Sequence, residues 1–445
     1  MSATVRPRRR AVAAKAPLGR PFATQLASTG LANLGDGVLV TLAPLVALSL
    51  TTSPAQVSLL SAAAWLPWLL LGVAAGVVVD RVDRRRAQVV ALGARALVLA
   101  AGAALGFSGA LTMPLLVGVV LVYGVTEVFA DLGATSIVPD LVPADRLPAA
   151  NGRVLGVQQV ANAFLGAPLA GALVVLGAGI GFGASAGLAA LAATVLAVGL
   201  RGDFRRVVPD GRRPHALREV REGLAFLVRH RVLRPLVIAS SVLNMASTAY
   251  FAVFVLWAVG PGSAMGLTPA QYPLVMLGFA LGAVAGSLLA ERVRDRLGEV
   301  PTLMSMLTAS VVLMLVPLAW PDAWAVAVAV TAVGVTNTIG NVVSMSLRQR
   351  LVPGPLLGRV GGASRTLSYG LMPVGAVLGG LVAEVAGLPA TFLSAVAVSL
   401  LACGTLALRV RTADVRAAED APPAAHRASG GEAAVPLAAC DGVRP

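Results

Sequence analysis

The sequence predicts an all-α membrane protein with twelve transmembrane helices in two matched halves. Three observations predict this: an apolar composition poor in charge, basic residues confined to every second loop, and an internal repeat at one fixed offset. Of the 445 residues, 57% are hydrophobic and 13% charged, with a mean hydropathy of +0.82. A soluble chain carries roughly a quarter charged residues. One water-soluble core cannot hide so much apolar surface, but about twelve spans of about 20 residues can. Lipid offers the backbone no hydrogen-bond partners, so each span is expected to be helical.

Apolar runs bounded by Gly, Pro and Arg clusters place the spans at 22–49, 56–79, 87–107, 113–137, 152–176, 180–200, 235–258, 269–290, 300–319, 323–346, 366–386 and 389–408. The first run is too long for a signal-peptide core and lacks a cleavage site, so it reads as an uncleaved span. Basic residues then orient the chain. All but one of the 35 Lys and Arg residues precede span 1 or fall in every second loop after it. Those loops include Arg81–Arg86, 201–234, Arg292–Arg296 and 348–365; the exception is Arg95 in span 3. The alternate loops hold none. This is the positive-inside pattern, and it places both termini in the cytosol of a bacterial-type inner membrane. The net charge of +14 therefore faces anionic lipid headgroups, and a nucleic-acid partner is set aside.

The longest internal polar stretch divides the chain. The expected organisation is a basic tail (1–21), a six-helix bundle (22–200), a linker (201–234), a second bundle (235–409) and a disordered tail (410–445). Within the linker, Ala216–Val228 reads as an amphipathic helix on the membrane surface. A shift of 210 residues superposes Gly72 on Gly282, Gly76 on Gly286, Arg84 on Arg294, Arg86 on Arg296, and Leu141-Val142-Pro143 on Leu351-Val352-Pro353. Two homologous halves account for this, with a substrate site expected between them near the midplane.

The loop after span 2 reads Gly76-Val-Val-Val-Asp80-Arg81-Val-Asp83-Arg84-Arg85-Arg86. Its G-x-x-x-D-R-x-x-R-R pattern resembles the signature loop of the major facilitator superfamily. Asn33-Leu34-Gly35-Asp36-Gly37, Leu351-Val352-Pro353 and Gly166-Ala167-Pro168-Leu169-Ala170-Gly171 resemble its drug- and siderophore-exporting proton-antiporter branch, which includes enterobactin and macrolide exporters. The resemblance covers roughly residues 20–410 and implies the major facilitator fold, working as a monomer. It also implies a latch on the outward-facing state made by Gly76, Asp80, Arg81, Arg84 and Arg85. Gly76 would permit close helix approach, and Asp80 would sit at the N-terminal dipole of span 11. The alternative is that these arginines only anchor topology.

Polar residues at depth fall on spans 1, 4, 5, 7 and 10. Span 4 carries Tyr123, Glu127, Asp131 and Thr135 at four-residue spacing, hence on one face. Asp36, Glu127 and Asp131 are costly in hydrocarbon, so a functional role is the default. Burial pushes a carboxyl towards neutrality, suiting it to carry protons. Glu127 is the first candidate and Asp36 the second. Arg95 and Asp131 sit at similar depths and are expected to pair, leaving Asp131 structural. The opposing reading makes all three acids structural polar pairs. Candidate substrate contacts are Asn33, Tyr123, Gln158, Asn162, Asn244, Phe251, Asn337 and Asn341, with Phe254 beside Phe251. The second half is expected to hold no charge at mid-span. Trp65 and Trp68 read as core in preference to cavity, and Trp257, Trp320 and Trp324 as interfacial anchors.

Enzymatic readings fail on placement. Gly183-Ala-Ser185-Ala-Gly187 spells a nucleophile elbow, but His215, His230 and His426 all lie on the opposite side of the membrane. A P-loop needs a lysine after its glycines, and the sole lysine is Lys15. No metal motif is present, and Cys403 and Cys440 offer no disulfide framework. No cofactor is expected, with the proton gradient as the energy source. The sequence therefore predicts proton-coupled efflux of small apolar or amphipathic molecules by alternating access. A proton symporter or uniporter importing a metabolite is the alternative, and a non-transporting receptor or scaffold the second.

Overall fold

The computed structural model describes residues 18–205, 216–260 and 262–420, apart from the side chains of Val73, Asp80, 216–220, Pro355 and 419–420. Among these residues, twelve helices are long and apolar enough to cross a membrane. The first six are Arg20–Ala47, Pro54–Arg81, Arg84–Ser108, Met113–Leu141, Ala144–Val175 and Ala178–Gly199. The second six are Leu233–Ala258, Tyr272–Leu297, Glu299–Ala319, Ala323–Leu351, Leu357–Ala386 and Leu388–Arg409. Spans 5 and 11 begin well before their apolar runs. Arg146 at the start of span 5, and Arg359 and Arg365 in span 11, interrupt the hydropathy signal, yet a long arginine side chain can leave the helix surface and keep its charge in a polar setting.

Helix ends follow local chemistry. Ser53 caps span 2 by accepting from the Gln56 N–H (3.3 Å), and Asp83 caps span 3 by accepting from the Arg86 N–H (2.8 Å). Gly298 (φ 82°) and Gly387 (φ 86°) make one-residue turns between spans 8 and 9 and between spans 11 and 12. Positive φ at these sites favours a residue without a Cβ.

Each half packs within itself. In the first, span 3 lies against spans 4 and 6, and span 1 against spans 5 and 6. In the second, span 8 lies against span 10, and span 7 against spans 11 and 12. A Cβ on Gly282 would overlap the carbonyl oxygen of Thr331, and one on Gly286 would stand 2.6 Å from that of Val335. Their repeat counterparts Gly72 and Gly76 would meet nothing within 4 Å. The close approach expected at Gly76 is therefore not made here.

The reason lies in how the halves meet. At the end opposite the basic loops they touch closely. A Cβ on Gly380 of span 11 would overlap the Ser58 hydroxyl of span 2, while Ala62, Ala252 and Ala376 cluster across the boundary. Glu384 Oε2 accepts from Ser53 Oγ (2.7 Å) and the Ala55 N–H (3.1 Å) at the start of span 2. At the basic end, Gly72 and Gly76 of span 2 and Gly358, Gly361 and Gly362 of span 11 have no neighbour within 4 Å of a Cβ position. The halves close at the far end and part at the basic end.

The linker carries a helix, Ala216–Arg229, that docks on span 11: Arg359 Nη1 donates to Glu222 Oε2 (2.7 Å), and Leu227 joins the core of the second half. Thr412–Asp420 is a helix where disorder is predicted, because its apolar Val415 is buried and Asp414 accepts from the Arg411 N–H (2.9 Å). The tail beyond, with Cys440 and His426, the segment 1–17 and His215 lie outside the described residues. Trp257 is bonded inward, its Nε1 donating to Pro317 O (3.1 Å), whereas Trp320 and Trp324 are exposed.

The repeat pair of glycines gives a direct check. Gly282→Ala should destabilise the protein by about 1–3 kcal/mol, because overpacking forces span 8 away from span 10. Gly72→Ala should stay within about 0.5 kcal/mol of the parent, as substitutions in open positions do. Thermal unfolding in detergent reads both, and equal melting temperatures for the two variants would contradict the packing described.

Candidate functional site

Small residues bring the first half's polar side chains together. Gly35 and Gly37 flank Asp36 on span 1. A Cβ on Gly37 would overlap the carbonyl of Asn162 on span 5, and one on Gly35 would lie 3.4 Å from Ser185 O on span 6. Gly166 faces Gly37 at 2.8 Å in the same sense. The Gly-Asp-Gly and Gly-Ala-Pro stretches thus allow spans 1 and 5 to touch. Here span 5 widens into a π-helical segment, Val160–Gly166, a feature common at functional sites.

Arg95 of span 3 reaches into this junction and is 2% exposed. Its Nη1 donates to Asp36 Oδ1 (2.6 Å), and its Nη2 to Glu127 Oε2. Its Nε lies 3.5 Å from Thr126 Oγ1, and its guanidinium carbon 5.0 Å from the centre of the Tyr123 ring. Tyr123 Oη donates to the same Asp36 oxygen (2.8 Å). One cation thus serves two carboxylates, and with both ionised the trio carries one excess negative charge. Taking such groups from water costs several kcal/mol per ion, recovered only by close pairing and full hydrogen bonding. The geometry meets that requirement.

The expected Arg95–Asp131 pair is not formed. Asp131 shares the face of Glu127 on span 4 but lies one turn nearer the basic end, and Arg95 meets the inner acid, Glu127. Asp131 instead faces Arg365 Nη2 of span 11 at 3.9 Å, across the boundary between halves. The second half therefore does supply a charge at depth, contrary to expectation. Span 11 starts at Leu357, which carries Arg365 well inside the helix. Its guanidinium carbon lies 5.4 Å from the Trp68 ring centre and 5.8 Å from that of Tyr369, and Trp65 stands 5.7 Å from Tyr369.

These groups border a cavity of about 370 Å³, whose walls include Asp36, Tyr123, Glu127, Asp131, Trp65, Trp68, Arg365 and Tyr369. Trp65 and Trp68 are thus cavity wall, a correction to the core reading. A second cavity, of about 390 Å³, lies largely in the other half and is apolar, walled by Phe251, Phe254, Met276 and Phe279. Val40 and Asn162 belong to both, so the two adjoin. Asn33 and Gln158 line a smaller chamber beside the Arg95 trio. Asn244 Nδ2 donates to Ser368 O (3.0 Å) and ties span 7 to span 11. Asn341 Nδ2 donates to Asn337 Oδ1 (2.8 Å), and both lie outside the walls of the two large cavities. The missed residues, Arg365 and Tyr369, stand four apart on one helical face, a pattern legible once span 11 is begun earlier.

The signature loop binds its own half. Arg84 Nη1 donates to Asp140 Oδ2 at the end of span 4 (2.5 Å), and Arg85 Nη2 donates to Ala197 O on span 6 (2.5 Å). Asp83 accepts from the Phe204 N–H (2.9 Å) as well as from Arg86. Burial works to raise the Asp83 carboxyl, but the two backbone donors outweigh it and hold the group below its usual value. Arg81 is exposed. The Asp80 side chain lies outside the described residues.

The profile of a family described as transmembrane secretion effector matches residues 12–437. The multidrug efflux pump Tap of Mycobacterium tuberculosis is 29% identical over 416 residues, covering 86% of this chain and 92% of Tap. Macrolide efflux protein A of Streptococcus pyogenes is 25% identical over 359 residues, covering 77% of this chain and 84% of that protein. Among solved structures, a D323A mutant of the nucleoside transporter NupG superposes with a TM-score of 0.71 at 13% identity, over 88% of this chain and 100% of that one. A bacterial homologue of the iron transporter ferroportin in an inward-facing state gives 0.65 at 16% identity, over 92% and 100%.

Removing the shared cation tests the trio. Arg95→Met should cost about 3–5 kcal/mol, the usual penalty for stranding buried charge. Adding Asp36→Asn and Glu127→Gln should restore most of it. Thermal unfolding of the single and triple variants reads the difference; a stable single variant would mean that Asp36 and Glu127 do not depend on Arg95.

Proposed function

This chain belongs to the transmembrane secretion effector family of the major facilitator superfamily, and from that premise we propose that it exports small apolar or amphipathic molecules in exchange for protons. The observation that carries this is the Arg95 trio at the head of the cavity, where two carboxylates share one guanidinium. The names of the relatives, a multidrug pump and a macrolide efflux protein, support the direction of transport. Macrolides are therefore the first compounds to try. The basic end is assigned to the cytosol by the positive-inside rule, so the state described here faces inward, with the cavity open to take up substrate.

The cycle follows from charge balance. In the outward-facing state a proton adds to Glu127 or Asp36, cancels the excess negative charge of the trio and loosens one bond to Arg95. After reorientation the proton leaves to the cytosol, and Arg95 again holds both carboxylates. Substrate rests on the apolar second cavity with the aromatic wall of Trp65, Trp68 and Tyr369 beside it, and its polar part reaches Asn162. No resident cofactor enters the cycle. Gly76, Asp80, Arg81, Arg84 and Arg85 are assigned to holding the outward-facing state, in which the basic ends of spans 2 and 11 come together. The protein is assigned to the cytoplasmic membrane as a monomer with both termini inside.

Everted vesicles acidified in their lumen test the exchange. A transported macrolide added outside should release luminal protons, read by a pH-sensitive dye, and should accumulate inside. In Glu127→Gln both should fall to the level of vesicles lacking the protein, while exchange of labelled for unlabelled substrate persists. Full gradient-driven accumulation in that variant would remove Glu127 from the coupling step.

A further inference from the structure

Asp36 and Glu127 form part of the walls of two chambers rather than one. The wide cavity lies on one side of them. On the other, towards the basic end, is a chamber of about 30 Å³ walled by Ser28, Thr29, Asn33, Gln88, Asp131 and Gln158, together with Arg95. Chain direction fixes this placement. On spans 1 and 3, Ser28, Thr29 and Gln88 precede Asp36 and Arg95; on span 4, which runs the other way, Asp131 follows Glu127. A polar space of this size suffices for one or two waters.

A row of buried polar side chains extends from the chamber towards the basic end. Gln25 Nε2 donates to Gln88 Oε1 (2.8 Å) and lies 3.3 Å from Thr29 Oγ1. Gln88 Nε2 approaches Arg84 O (3.4 Å), and Arg84 is paired with Asp140, whose side chain is 40% exposed at the basic end. Gln25 and Gln88 are both buried, and Gln25 Oε1 has no hydrogen-bond partner among the described residues. Buried polar atoms are almost always satisfied, and an exception calls for an explanation. Room for this row is built in: a Cβ on Gly133 would stand 2.5 Å from Gln88 Cγ.

We propose that this chamber and the Gln25–Gln88 pair form a proton conduit from Asp36 and Glu127 to the basic face, separate from the substrate cavity. It rests on the proton exchange proposed above. A carboxylic acid of the trio passes its proton to water in the chamber, forming hydronium, and the carboxylate left behind returns to Arg95. The proton moves on through water held by Thr29, Gln88 and Gln25, whose neutral side chains donate and accept without trapping charge. It reaches bulk water at the basic face, beside the Arg84–Asp140 pair. A separate route lets the proton leave while substrate fills the wide cavity, so the two need not pass each other.

The test uses Gln88→Leu and Gln25→Leu in everted vesicles. Substrate exchange should match the parent, while substrate-triggered proton release slows by about tenfold or more, a modest part of what positioned proton-transfer groups contribute. Unchanged proton release would overturn the conduit and route protons through the wide cavity. Should either variant fold poorly, Thr29→Val and Gln25→Met decide by the same two readouts. A second arm needs no transport: Ser61→Cys, on the wall of the wide cavity, is blocked with a bulky maleimide. Infrared detection then follows protonation of the buried carboxyls after a pH jump. Fast protonation that slows when Gln88→Leu is added supports the conduit; loss of protonation on blocking alone overturns it. If the parent moves no protons with substrate, the antiport reading fails, and the infrared arm still decides the conduit.

Discussion

The structure of the first half turns on one interaction, the burial of Arg95 between Asp36 and Glu127. Three ionised groups at the centre of a bundle are tolerated only if their bonds are short and complete. That condition governs the backbone around them. Span 1 must lie close to span 5, so Gly37 and Gly166 stand where any side chain would intrude, while Gly35 sits in ordinary contact with span 6. Tyr123 must reach Asp36, and Thr126 the guanidinium, so both occupy the inner face of span 4. Polar chemistry here dictates helix packing, the reverse of the usual order in which packing places the polar groups.

The second half solves a different problem with the same six-helix plan. Its interior is aromatic and aliphatic: Tyr250 stacks near Phe254 and Phe392, and its hydroxyl donates to Met314 O (3.0 Å). Dispersion and area burial hold such a core without specifying charge geometry. Division of labour follows from this. In the proposed exchange the half with the trio would sense protonation, and the half with the apolar cavity would offer a surface tolerant of varied shapes. Tolerance of that kind suits a pump whose relatives are named for several drugs or for one class.

Span number and the division into halves were legible because hydropathy and the placement of arginines are one-dimensional signals. Contacts were not, because they depend on how helices shift and tilt against one another. Approximate depth pointed Arg95 to Asp131, but a difference of one helical turn on the same face of span 4 makes Glu127 its partner. Arg365 was assigned to a loop because an arginine ends an apolar run in any hydropathy reading, although span 11 continues through it. The tryptophans of span 2 read as core for a related reason: an aromatic in a helix looks the same from sequence whether it faces a neighbour or a cavity. The glycine repeat was visible at once. That Gly282 is packed and Gly72 open could not be read, since it depends on which ends of the halves are together.

The distribution of bond strength explains how such a molecule can move. Within the first half the ion pairs are short: Arg95 with its two acids, and Arg84 with Asp140 at 2.5 Å. Between the halves the contacts are of another kind. Arg365 and Asp131 face each other at 3.9 Å, and at the far end Glu384 caps the start of span 2 from an exposed position. Exposed or loose ionic contacts are worth about 0–1 kcal/mol each, whereas breaking a buried pair costs about 3–5 kcal/mol. Motion therefore takes the cheaper path, with each half keeping its shape while the boundary re-forms elsewhere. That inequality favours the rocking of two rigid bundles about a central site on which the proposed exchange depends, and protonation would bias it because the trio borders the wide cavity, whose walls come from both halves.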